Sequence, residues 1–368
     1  MERISEVKFI SKLVFFLLIC SAVSCADCSD SAPEVLVYCG ASDASAAVAV
    51  GEKMFVVADD ENNVLRVYRT NKASLPVFSY DLTEFLGTSP QHPEADIEGA
   101  TIIGKRIYWI TSHGRNRDGK MRPNRYRFFA TDVKVQDDNV TINPVGIPCR
   151  TLIHTLVKTD IMRRIELDKA ARFDESNLTK VERKKLSPKK EGLNIEGLCA
   201  SADGTTIYIG FRNPRPQSKT LIIPLNNPRE VIEKQQPPIF AEPILLDLKG
   251  LGIRSMEYSH FHKAYFIIAG PHNEQQRFVL YRWSGERDSP PVLIQQIVLG
   301  EDKFCPEALV TFEASARFLL LSDDGTLLIE VADDSECMQG RLSEDGKCLQ
   351  KFLTDQNKKC FRGIWLQP

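Results

Sequence analysis

Five short phrases carry the residues best suited to chemistry. They read D-A-S-A-A from Asp43, D-I-E-G-A from Asp96, N-I-E-G-L from Asn194, I-R-S-M from Ile253 and P-E-A-L from Pro306. Aligned, they put Ser45, Glu98, Glu196, Arg254 and Glu307 at one equivalent position. If that position faces a common axis, three carboxylates and a guanidinium share one funnel. Convergent acids suit a hard cation, since calcium takes about six to eight oxygen ligands. Glu98, Glu196 and Glu307 are therefore candidate metal ligands, with calcium the ion such a set would take. Alternatively Arg254 pairs with one glutamate, and close acids raise one another's pKa, which makes Glu196 a candidate general acid or base. A purely structural role competes with both: each glutamate ties its unit to the next by accepting backbone N–H bonds.

A second set follows each phrase. Asp59, Ser112, Arg212, Gly270 and Ser322 align, and after them Asp60, His113, Asn213, Pro271 and Asp323. These positions differ from unit to unit, as a site on a symmetric scaffold requires. His113 is the candidate proton carrier because histidine titrates near neutrality; the alternative is a hydrogen-bonded structural histidine beside a turn. Arginines crowd the same loops: Arg115, Arg117, Arg122 and Arg125 in one, Arg212 and Arg215 in another. Guanidinium forks hold phosphate and carboxylate, so Arg115, Arg212, Asn213, Arg215, Arg254 and Asp323 are candidate ligand contacts. A solvated charged loop is the alternative.

The elements that must position these residues repeat too. Each phrase leads, some eight to eleven residues on, into an apolar run: MFVVADD, IYWITSH, IYIGFRN, AYFIIAG and FLLLSDD. Recurrence of one phrase and one strand-like run at intervals of roughly fifty residues marks a repeat architecture. For strands this means an all-β propeller, one four-stranded sheet per repeat around a central channel. Unit starts near 43, 96, 194, 253 and 305 leave a long second interval, giving five or six blades, with six favoured. A charged stretch near 160–187 has helical spacing and reads as an exposed helical insertion. The strand EVLVYC (34–39) is expected to complete a sheet begun by the C-terminal strands, because a closed ring hides its edges.

Residues 1–26 read as a signal peptide: Lys8 and Lys12 precede an apolar run, and Ser24-Cys25-Ala26 supplies small residues for cleavage. An alternative processing would lipidate Cys25, the one route by which the chain would meet a membrane. The remainder, 34–368, reads as a single propeller with a cysteine-containing tail over 332–368. After residue 26 eight cysteines remain, an even number in an oxidising compartment, so structural disulfides are expected. They allow about a hundred connectivities, and the pairing is not chosen by sequence. A net charge of -2 argues against a general nucleic-acid binder. No G-x-S-x-G elbow, phosphate loop or H-E-x-x-H helix is present.

The phrases E-A-D-I-E-G, T-S-H-G-R-N-R-D-G-K-M-R-P-N-R, L-N-I-E-G-L with F-R-N-P-R-P, and G-I-R-S-M-E-Y together resemble the bacterial family catalogued as domain of unknown function 3616, over about residues 40–330. That resemblance implies a propeller and brings no established activity. More distantly, the D-x-E-G phrase is similar to exported phytase-like or esterase-like propellers, which implies metal-supported hydrolysis. Two expectations follow for a periplasmic or extracellular protein. One is a ligand-binding or scaffold propeller with Glu98, Glu196, Arg254 and Glu307 at the axis, taking an anionic small molecule or extracellular polymer. The other is a metal-assisted hydrolase of a phosphoester or ester, in which His113 moves protons.

Overall fold

The computed structural model describes residues 34–136, 139–273, 277–297 and 304–368. The expected signal peptide, Cys25 and Cys28 lie outside the described residues. Twenty strands form five four-stranded antiparallel sheets. Blade I is β2 (Ala46–Val50), β3 (Met54–Ala58), β4 (Val64–Arg69) and β5 (Phe78–Asp81). Blade II is β6 (Ile97–Ile103), β7 (Arg106–Thr111), β8 (Phe128–Gln136) and β9 (Asn139–Cys149). Blade III is β10 (Asn194–Ala200), β11 (Ile207–Asn213), β12 (Thr220–Leu225) and β13 (Ile244–Leu246). Blade IV is β14 (Gly252–Ser259), β15 (Ala264–Gly270), β16 (Phe278–Trp283) and β17 (Val292–Ile297). Blade V runs β18 (Pro306–Val310), β19 (Phe318–Ser322), β22 (Cys360–Leu366), then β1 (Val35–Cys39). A small hairpin, β20 (Leu328–Glu330) and β21 (Lys347–Leu349), is inserted between β19 and β22. The first strands of the blades are neighbours in the order β2, β6, β10, β14, β18 and back to β2, so the ring closes.

The apolar runs are continuous because each blade is buried on both faces. In β3, Met54, Val56 and Ala58 face blade II while Phe55 and Val57 face blade V. In β7, Ile107 and Trp109 face blade I while Tyr108 and Ile110 face blade III. Five separate cores result, one in each joint of the ring. Each fully buried Leu, Ile, Val or Phe in them contributes about 1.5–3 kcal/mol.

Two expectations are corrected. There are five blades and not six: the long interval after blade II's phrase holds two long strands, β8 and β9, and the short helices after them. Nor is the stretch near 160–187 a charged helical insertion. It forms short turns of helix, α3 (Asp160–Arg164), α4 (Leu167–Ala171) and α5 (Lys180–Lys185), after α2 (Leu152–Leu156) and the four-residue α1 (Thr83–Leu86). Left-handed backbone at Glu166 and Arg172 brackets α4 and stops a continuous helix. Leu152, Ile153 and Leu156 of α2 and Met162, Leu167, Ala170 and Ala171 of α3 and α4 are buried in the core between blades II and III, so these turns wall that joint, while α5 buries no residue.

Closure is as expected from EVLVYC. β1 pairs with β22 in antiparallel register, Cys39 opposite Cys360, and these two form a disulfide across 321 residues. Tyr38 stacks on Phe361, Phe55 stacks on Tyr68, and the two pairs meet edge to face in the joint between blades V and I. A second disulfide, Cys337–Cys348, pins the inserted hairpin. Cys149, Cys199 and Cys305 are free thiols. Among the described residues no helix is long and apolar enough to cross a membrane.

Candidate functional site

The repeated phrase encodes a β-bulge. In blade II the register passes from Ile97–Thr111 to Gly99–Ile110, leaving Glu98 without a partner. Glu196 in blade III, Arg254 in blade IV and Glu307 in blade V are skipped in the same way. A bulge re-aims the extra residue's side chain out of the sheet's alternation, and here it does so at the same end of four blades. In blade I the equivalent Ser45 precedes β2, and its hydroxyl donates to the carbonyls of Ile97 at 2.6 Å and Ala58 at 3.1 Å. The residue after each bulge is small because the next blade is close. A Cβ on Gly99 would meet Ile110 Cγ2 at 2.9 Å and Leu198 Cβ at 3.0 Å; one on Gly197 would meet Ile253 Cγ2 at 2.6 Å.

The mouth so formed is divided. Over blades III to V the charges are paired. Arg254, only 3% exposed, donates to Glu196 Oε2 at 2.8 Å and also pairs with Glu307, so it bridges three blades. Arg212 Nη1 donates to Glu196 Oε1 at 2.6 Å, and Asn194 Nδ2 to the same oxygen at 2.6 Å. Arg212 Nε donates to the Pro271 carbonyl at 3.1 Å. Glu196 is thus saturated by two guanidinium groups and an amide, and Glu307 is held by Arg254. Of the three glutamates expected as metal ligands, these two are engaged with arginine; Glu98 stands in a different company.

Over blades V, I and II, carboxyl groups face one another. One oxygen each from Asp60, Asp96 and Glu98 lies within 4.8 Å of the other two. Asp96, with left-handed backbone at φ 63°, gives its Oδ2 to Arg125 Nη1 at 2.9 Å. Asp43 sits where the backbone bridges to Asp323, and it is 3% exposed. Asp43 Oδ1 and Asp60 Oδ1 are buried without a hydrogen-bond partner. Burial holds the Asp43 carboxyl well above the usual range, and Asp323 and then Asp60 push it further. Burial does the same to Glu98, with Asp96 and Glu196 adding, and to Asp60, with Glu61 and Asp59 adding. Asp59 is raised by burial to about 6. Asp323 is raised by burial too, although its Oδ1 accepts from the Gly325 amide at 2.8 Å. The inserted C-terminal segment brings Lys351 to this side, its Nζ 2.6 Å from Glu61 Oε1. Around the mouth, among the described residues, seven carboxyl groups (Asp43, Asp60, Asp96, Glu98, Glu196, Glu307, Asp323) meet three guanidinium groups (Arg125, Arg212, Arg254).

The other expected residues are placed elsewhere. His113 is 1% exposed; its Nδ1 bonds to the Thr111 carbonyl at 2.9 Å and Nε2 is unpartnered. A carbonyl only accepts, so Nδ1 carries the proton. Burial lowers this histidine to about 4, and its charged neighbours are His154 and Arg127, not the acids of the mouth. Its ring meets Tyr126 edge to face. Arg115 is buried and clasps its surroundings: it pairs with Glu175 and donates to the carbonyls of Gly119 at 2.9 Å and Arg172 at 2.5 Å. Asn213 Nδ2 donates to the carbonyls of Lys190 at 3.1 Å and Gly192 at 2.6 Å. Arg215 donates to Gly250 and lines a cleft of about 340 Å³ with Glu166, Lys169, Glu191 and Gln217. Cys305 lies 3.9 Å from Arg254 Nη2 and 4.0 Å from Glu307 Oε1, with its thiol pushed up by burial. Asp43 and Asp96, absent from the sequence-based set, are the first letters of the phrases whose third letters are Ser45 and Glu98. That position was the available signal.

Residues 43–299 match the family described as "Protein of unknown function (DUF3616)". No curated protein matches the chain. Among solved structures, the glutaminyl cyclase of Myxococcus xanthus is similar with a TM-score of 0.38 at 10% identity, over 79% of this chain and 93% of that one. A putative oxidoreductase (glucose dehydrogenase) of Thermus thermophilus gives 0.41 at 10% identity, over 90% and 100%. The β-propeller domain of Cps50 (Swd1) from Myceliophthora thermophila gives 0.31 at 7% identity, over 79% and 94%. Similarity at this level carries no functional information.

Proposed function

The chain belongs to the family of proteins of unknown function DUF3616, and from that premise we propose that it is a binding propeller which takes a positively charged group at its axial mouth, outside the cytoplasm. One observation carries this: the mouth holds an excess of carboxyl groups, and two of their oxygens, on Asp43 and Asp60, are buried without a partner. Buried acids that crowd one another are costly unless a cation or protons neutralise them. Asp60 and Glu98 are only half-buried, so solvent reaches the edge of the acid set. Two disulfides fit an oxidising compartment.

An anionic ligand at the axis finds less support. The terminal nitrogens of Arg212 and Arg254 are engaged by Glu196 and Glu307 and those of Arg115 by Glu175 and backbone carbonyls. Of their buried nitrogens, this leaves only the Nε of Arg254 and of Arg115 without a partner among the described residues. Hydrolysis with His113 as proton carrier has its weak point in the same place, because that ring packs among Thr111, Tyr126 and Arg127, away from the acids.

Titration calorimetry of the purified chain tests the reading. Calcium or spermidine should bind in the micromolar range, more weakly as salt is raised, because charge attraction is screened. Binding of phosphate or citrate with no cation bound would overturn it.

A further inference from the structure

Resting on that reading of the mouth, we propose that a calcium ion sits among Asp60, Asp96 and Glu98, with Asp43 closing on it, and clasps blades V, I and II together. The argument starts from the joints of the ring. Between blades III and IV, and between IV and V, Arg254 stands between carboxylates of neighbouring blades and ties them. Between blades I and II, Ser45 reaches the Ile97 carbonyl, and between II and III the Thr101 hydroxyl accepts from the Ala200 amide at 2.8 Å. At the last joint, between V and I, the Asp324 amide donates to the Ser42 carbonyl at 3.0 Å and Lys351 pairs with Glu61, but the side chains that meet at the axial mouth are those of Asp43, Asp323 and Asp60. All three are carboxyls. Lys351 is near but engaged by Glu61, and Arg125 is engaged by Asp96 and Glu94. A cation at this place does for the acid half what Arg254 does for the other.

The donors select the ion. They are carboxylate oxygens with no imidazole or thiolate among them, a hard set. A calcium shell with ligands at about 2.4 Å spans roughly 4.8 Å from side to side. The three oxygens of Asp60, Asp96 and Glu98 are close enough to one another to share one ion of that size. Magnesium demands a tighter, near-octahedral set, which is harder to assemble from side chains on different blades. A second cluster, Cys305, Glu307 and Asp323, is the poorer candidate: it contains a thiol, and Glu307 already belongs to Arg254. Asp43 supplies an independent sign: its side chain is buried with Oδ1 unpaired, and its carboxyl is held against those of Asp60 and Asp323, a contact that only a shared proton or a cation makes favourable.

The test melts the purified chain and its variants in EDTA and in millimolar calcium or magnesium, with affinities from calorimetry. Calcium at about a hundredfold over its Kd should raise the wild-type Tm by about 5 °C, and magnesium by less. Glu98→Gln should lower calcium affinity at least tenfold. In EDTA that variant should melt at or above wild type, because one member of a crowded acid set has been neutralised. Asp43→Asn should behave alike, and Glu98→Gln, at a half-buried position, keeps the test decisive if Asp43→Asn fails to fold. A calcium-independent Tm, or a Glu98→Gln variant with wild-type calcium affinity, overturns the clasp. If calcium fails while spermidine binds and Glu98→Gln weakens it, the clasp falls and the cation-binding mouth stands. If neither binds, both fall.

Discussion

Glu98 and Glu196 occupy the same letter of the same phrase, one blade apart, and they live in opposite surroundings. Glu196 receives two guanidinium groups and an amide, while Glu98 faces Asp60 and Asp96. The phrase made both positions legible as axial residues. It did not reveal their partners, because Arg212 comes from the next strand and Arg254 from the next blade. Titration separates the buried groups by sign. Asp59 has a folded pKa of about 6, above its ordinary value of 3.8, so its contribution is fully present below 3.8 and is lost as pH rises through about 6. His113 runs the other way: at about 4, below its ordinary 6.5, its contribution is present above 6.5 and is lost as pH falls through 4. Each shift is worth on the order of 3 kcal/mol, and the two oppose between pH 4 and 6.5. In EDTA, His113→Gln should therefore lose less stability than wild type on acidification from pH 7 to 4, and Asp59→Asn should lose more. Melting curves across that range check the pair; two variants that both track wild type would show that burial of these groups does not govern the pH response.

At the scale of elements, the informative object is the bulge with the small residue behind it. Sequence alignment found the repeated letters, but a bulge is a property of pairing: it appears only when Ile97 and Gly99 are seen against consecutive residues Thr111 and Ile110. Spacing alone misjudged two other elements for the same kind of reason. Charged residues at helical intervals over 160–187 hid the buried Met162 and Leu167, which need the core of a neighbouring blade to be recognised. The long interval after blade II could hold a blade or merely long strands, and interval length does not distinguish them. The bulge makes its own prediction. Gly197→Ala adds a Cβ 2.6 Å from Ile253 Cγ2 and 3.2 Å from Met256 Cγ, where blades III and IV are fully packed. Overpacking of this kind costs about 1–3 kcal/mol, so the variant should melt a few degrees lower. It should also loosen the strand that presents Arg254. An unchanged Tm would mean that the small residue behind the bulge is not a packing requirement.

For the molecule as a whole, the ring is only as closed as its last joint. Blade V is completed by β1 from the far end of the chain, so unzipping β1 from β22 is the natural first step of opening. Two devices guard that step. The Cys39–Cys360 disulfide closes a loop of 321 residues on the outer edge, and the Tyr38, Phe55, Tyr68 and Phe361 rings fill the core beneath it. A disulfide over so long a loop is worth about 3–5 kcal/mol. Cys360→Ser should lose stability of that order, and its β1 and β22 amides should be the first in the sheets to exchange with deuterium, because sub-global opening exposes the weakest unit first. The proposed calcium acts at the inner end of the same joint, through Asp43. In the Cys360→Ser background calcium should then slow exchange in β1, β22 and β2 more than in blades III and IV, and should lose that effect when Glu98→Gln is added. Uniform slowing across all five blades would mean that an ion stabilises the fold without holding this joint. Slowing confined to β2 and β6 would mean that it ties blades I and II and leaves closure to the disulfide and the aromatic rings.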